Sequence, residues 1–102
     1  MKIETTHHID CSEKSADGFY EWYYEYDLFR FSEGSLTLVA RGYTDSPEEA
    51  HFLRFEKDGA ILKISEADLR TPLAISATDY LRSKGRKKID WLGPVGYETI
   101  PA

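Results

Sequence analysis

The chain has 102 residues, which reads as one domain spanning 1–102, large enough to bury a single core without disulfides or metal. With 41% apolar and 30% charged residues, its composition is that of a soluble globular protein and excludes a disordered chain; no apolar run approaches the ~20 residues of a membrane-spanning helix. The net charge of −5 is unevenly spread: residues 1–81 carry 16 acidic and 8 basic groups, whereas RSKGRKK at 82–88 carries five cations and no acid.

The first element is a strand, KIETTHHI, followed by a polar loop, DCSEKSADG, at 10–18. Segment 1–18 has the polarity of a partly disordered terminus. The opening MKIETTHHIDCSEK lacks the apolar stretch of a secretory signal, and a single cysteine, Cys11, forbids an internal disulfide. Both features fit a reducing compartment, so a cytoplasmic location is expected.

GFYEWYYEYDLFRF, residues 18–31, follows, with eight aromatic residues in fourteen. Even positions give Tyr20, Trp22, Tyr24, Tyr26 and Leu28; odd positions give Glu21, Tyr23, Glu25 and Asp27. Alternation with period two predicts a strand with an aromatic face turned to the core and an acidic face turned to solvent. Phe29 and Phe31 break the alternation, which predicts a bulge after Leu28. Ser32-Glu33-Gly34 is a turn signal, and SLTLVARGYT then returns as the second strand of a hairpin, with Leu36, Leu38 and Ala40 on its inner face.

Segment 46–56 carries two signals. Ser46, Pro47 and Glu48 resemble a helix start, whereas HFLRFEKDGAILKIS reads as two strands about Asp58-Gly59. The hairpin reading is preferred, with strand from about His51. Residues 65–70 suit a short turn. Thr71-Pro72 opens an amphipathic helix over about 72–84, with Leu73, Ala77, Tyr80 and Leu81 on one face and Gly85 as its C-terminal stop. KKIDWLGPVGYETI completes the chain as one or two strands broken at Gly93-Pro94. The predicted fold is α+β: a meander-like antiparallel sheet of about five strands with one helix packed on one face.

Little in this sequence carries chemistry. His7, His8, Asp10, Cys11 and His51 are ligand types, but adjacent strand residues point to opposite faces and no C-x-x-C or H-x-x-x-H spacing occurs, so no metal and no cofactor are expected. Asp10 and Glu13 flank Cys11 and would raise its thiol pKa, the wrong direction for a nucleophile. Glu21, Glu25 and Asp27 fall two or four apart on one strand face, about 7 Å between neighbours, a spacing open to acid–base pairs but expected on a wet face. No glycine-rich phosphate loop is present. The balance is against an enzyme.

Three functional expectations remain. The first is a non-enzymatic module that binds, and neutralises or regulates, a basic protein through Glu21, Tyr23, Glu25 and Asp27, where an amphipathic aromatic stands among carboxylates. The second is a small-ligand or enzymatic domain with a pocket under the helix lined by Trp22, Tyr24, Tyr26 and Trp91. The third is phosphate or nucleic-acid binding by Arg82, Lys84, Arg86, Lys87 and Lys88, which the acidic body disfavours.

Overall fold

A computed structural model describes residues 1–93 and 96–101. In chain order the elements are β1 (Lys2–Cys11), β2 (Tyr23–Glu33), β3 (Leu36–Tyr43), β4 (Glu49–Lys57), β5 (Ala60–Leu62), a 3₁₀ turn (Ala67–Arg70), α1 (Pro72–Ser83), β6 (Lys88–Gly93) and β7 (Gly96–Thr99). The α+β class holds, but the sheet has seven strands and is mixed, in the order β1-β2-β3-β4-β6-β7 with β5 paired to β4. Of the predicted break at Gly93-Pro94, Pro94 lies outside the described residues. No helix among the described residues is long and apolar enough to cross a membrane.

The mixed topology has a local cause. Asp58 (φ 51°) and Gly59 (φ 82°) form a tight turn with two positive φ angles, which suits a two-residue hairpin. That turn sets β5 against only Phe55–Lys57 of β4, so residues 49–52 on the same side of β4 remain free. The chain then crosses over through α1 and returns as β6, paired with those residues. A strand that returns by a helical crossover runs parallel, not antiparallel. Segment 46–56 resolves as a turn, Glu49 N–H to Ser46 carbonyl at 3.0 Å, followed by strand.

The helix forms where its end signals lie. Thr71 accepts a hydrogen bond from the Ala74 N–H (3.4 Å), Pro72 occupies the first turn, and Gly85 takes φ +88° just beyond the C-terminus. The chain reversal at Gly85 lets the Arg86 N–H reach the Leu81 carbonyl (3.0 Å). Leu73, Ala74, Ala77 and Leu81 of α1 pack on Phe31, Leu38, Ala40 and Phe52 of the sheet, with Ile89 and Trp91 completing the core. Alanines on both sides allow close approach of helix and sheet.

This core overturns the predicted facing of β2. Phe29 and Phe31 are buried, opposite Ala40 and Leu38 of β3. Tyr20, Trp22 and Tyr24 are exposed, and Tyr26 and Leu28 are half-buried on the face away from the helix. No bulge follows Leu28, because β2 keeps register with β1 from Tyr23 to Ser32. The irregularity falls instead where β3 meets β4, between Val39 and Ala40, with Leu53 as the extra residue.

Candidate functional site

The β1–β2 ribbon runs past the end of β3, whose last partner in β2 is Tyr26. Thr44 still reaches the Glu25 carbonyl (3.0 Å), and beyond Glu25 the two strands pair only with each other among the described residues. Ser12 N–H reaches the Trp22 carbonyl (3.0 Å), Lys14 bridges Tyr20, and a turn closes with Gly18 N–H on the Ser15 carbonyl (2.9 Å). Gly18 takes φ +87°, and the Asp17 carboxylate accepts from the Ser15 hydroxyl, which holds it below the usual carboxylate range. The predicted loop 10–18 is therefore part of a hydrogen-bonded arm. The molecule measures 49 × 31 × 28 Å with a radius of gyration of 15.0 Å, against about 13 Å for a compact domain of this length.

The arm carries the exposed aromatic surface. Phe19 is 72% exposed, and Tyr20, Trp22, Tyr23 and Tyr24 are each between 42% and 52% exposed. Tyr20 and Tyr23 approach at 5.4 Å, and Lys14 lies over the Tyr20 ring. At the base of the arm, on the face away from the helix, His8 stacks on Tyr26 (5.5 Å) and Arg41 lies over both Tyr26 and Tyr43.

Residues 10–27 also hold the whole charge imbalance: six carboxylates against Lys14, leaving the remaining chain balanced at twelve acids and twelve bases. Asp10, Glu13, Asp17 and Glu21 are exposed. Glu25 and Asp27 are half-buried and internally engaged. The two nitrogens of His7 meet Asp27 Oδ1 (2.7 Å, Nδ1) and Glu25 Oε2 (3.0 Å, Nε2), and the Tyr23 hydroxyl donates to Glu25 Oε1 (3.1 Å). Of the four residues expected to bind a partner, Glu21 and Tyr23 thus face solvent, whereas Glu25 and Asp27 tie β2 to β1. The flank of Glu25 turns the Tyr23 pKa upward.

A ring that donates from both nitrogens is an imidazolium. The hydrogen bond to Asp27, helped by Glu25 and opposed by desolvation, accordingly raises the His7 pKa above 6.5. For a raised histidine, the brace is fully present below pH 6.5 and is lost as pH rises through the raised value. The expected result is a His7 NMR titration midpoint above 6.5, moved back toward 6.5 by Asp27→Asn. An unchanged midpoint in that variant would remove the brace from the account.

The ligand types do not converge. His7 and His8 fall on opposite faces, the carboxylates around His7 sit at opposite edges of its ring, and no group of three or more His, Cys, Asp or Glu among the described residues could hold a metal. The aromatic pocket is also dismantled: Trp91 is buried on the helix side, while Trp22 and Tyr24 are exposed along the arm. A cleft of about 590 Å³ does lie where β5 and β6 diverge, lined by Leu53, Lys63, Ile64, Ser65, Leu92, Gly93 and Gly96, but its polar side chains are only Lys63 and Ser65.

The cations of the basic run have different surroundings. Arg86 is 8% exposed; it donates to the Glu49 carbonyl (2.7 Å) and lies over the Phe29 ring (5.4 Å). Arg82 reaches the Pro101 carbonyl (2.8 Å), Lys84 lies over Tyr80, and Lys88 pairs with Glu49 (3.5 Å). Lys87 is exposed just before β6.

Sequence reading missed His7 as the partner of Glu25 and Asp27, and the exposure of the even aromatic face. One signal was available: β1 is polar at nearly every position, so the strand beside it could not extend a buried core along its whole length. No protein-family model, no curated protein and no solved structure matches the chain.

Proposed function

We propose that this chain is a non-enzymatic protein-binding module whose β1–β2 arm engages, and neutralises or regulates, a basic protein partner. The observation that carries the reading is the coincidence, on one protruding ribbon, of five exposed aromatic side chains with the whole net negative charge. Large aromatic side chains left exposed together on one ribbon favour an interaction surface. Tyr and Trp contribute large contact area at low entropic cost and are enriched among the residues that dominate binding energy. The carboxylates Asp10, Glu13, Asp17 and Glu21 around them would steer a cationic surface and repel an anionic one.

Affinity capture with quantitative mass spectrometry, comparing the wild type with a Phe19→Ala/Trp22→Ala/Glu21→Lys variant, tests this. The variant leaves Glu25, Asp27 and His7 intact, so the arm retains its brace. The expected result is a basic captured protein, depleted at least about tenfold with the variant, as for loss of a single hot-spot aromatic. Its association rate should also fall as salt rises. Equal capture by both forms, or an acidic partner, would refute the reading.

A further inference from the structure

The outer edge of β1 pairs with no other strand of the chain among the described residues. It runs for ten residues in unbroken register with β2, without proline, glycine or bulge. Long, regular, unprotected edges are templates for another strand.

The hydrogen-bonding phase of this edge follows from its neighbours. Ser12 N–H bonds to Trp22, and residues of an antiparallel strand alternate in the side to which their backbone groups point. Even positions of β1 therefore bond to β2, while Ile3, Thr5, His7 and Ile9 turn their N–H and C=O groups outward. The Thr44 N–H bond to the Glu25 carbonyl confirms the same phase on the far side of β2.

The sequence of β1 is self-complementary in one register compatible with that phase. When a second β1 lies antiparallel with a two-fold axis at Thr6, Ile3 meets Ile9 and Thr5 meets His7 in the hydrogen-bonded pairs. Lys2 meets Asp10, Glu4 meets His8 and Thr6 meets Thr6 in the others. Every carboxylate faces a cation or a histidine. A shift that moves the axis to His7 opposes Glu4 to Asp10, and one that moves it to Thr5 leaves Asp10 without an opposite residue. Shifts that pair odd with even positions set outward backbone groups against inward ones. Ile9, 56% exposed in the single chain, gains an apolar neighbour.

We infer that two copies of this chain associate through β1 into an isologous dimer with one continuous sheet across the two-fold axis. The second strand covers residues 1–11 and leaves the arm tips free at opposite ends of the assembly. This inference is independent of what the arm binds.

Sedimentation over a concentration series tests it, with a species of twice 11.7 kDa expected for the wild type. Thr5→Pro removes an outward N–H and leaves the β1–β2 ladder intact, so it should give a folded monomer with an unchanged circular dichroism spectrum. Lys2→Asp should weaken the dimer at least tenfold, and adding Asp10→Lys should restore it; this pair decides the matter if the proline variant fails to fold. A wild type that stays monomeric, a folded proline variant that stays dimeric, or a double variant that fails to recover would each overturn the inference.

Discussion

Phe31→Ala should destabilise the protein by about 4 kcal/mol in chemical denaturation, whereas Trp22→Ala and Tyr24→Ala should each cost less than about 1 kcal/mol. Phe31 has no exposed surface, stacks beside Phe29 and meets the edge of Tyr80 on α1 at 5.7 Å. Truncating it removes the transfer energy of a buried ring and leaves a cavity between sheet and helix that neighbours fill only in part. Trp22 and Tyr24 lie on the arm, 47% and 52% exposed, and contribute little to folding. The contrast is a test of facing, because a strand has only two faces and one of them carries the core. A larger loss from Trp22→Ala than from Phe31→Ala would mean that β2 is turned the other way. A loss of this size is a large fraction of the roughly 5–15 kcal/mol that holds a small domain folded.

Arg86→Ala should cost about 3 kcal/mol, although the residue belongs to a run of surface-type cations. Its guanidinium bonds the Glu49 carbonyl at 2.7 Å, lies within 3.4 Å of the Ser46 carbonyl and 3.9 Å of Asp27, and covers the Phe29 ring. It thereby ties the β3–β4 connection to the end of the helix. A Cβ on Gly42, the position opposite it, would overlap the guanidinium, so Arg86 would have to move. Gly42→Ala should therefore destabilise the wild type by about 2 kcal/mol through displacement of Arg86. In the Arg86→Ala background the same change should cost much less, a coupling of at least about 1 kcal/mol in a double-mutant cycle. Additive losses would show that Gly42 matters for some other reason.

The His7 brace connects the arm to pH. Because it is complete below pH 6.5 and fades above the raised value, partner binding that depends on a rigid arm should weaken toward alkaline pH in the wild type, and the weakening should move to lower pH in Asp27→Asn.

Local signals in the sequence were sufficient for much of the architecture. Thr71-Pro72 and Gly85 bracket the helix because capping and positive φ are properties of single residues. Asp58-Gly59 and Gly34 place two hairpin turns for the same reason. The alternation of GFYEWYYEYDLFRF signalled a strand with two unlike faces, and the strand forms from Tyr23 onward. The alternation did not determine which face is covered. That depended on Phe29 and Phe31 lying opposite Leu38 and Ala40, where the helix docks, while the aromatic first half runs past the end of β3 into solvent. Non-local pairing also decided that β6 returns parallel to β4, because a three-residue β5 leaves half of that edge open. Charge followed the same division. The run RSKGRKK was visible in the chain, but only packing withdrew Arg86 from it, and only the pairing of β1 with β2 brought His7 between Glu25 and Asp27. Propensity and turn chemistry act within a few residues and are written in order along the chain, whereas burial depends on what lies opposite, which the chain order does not state.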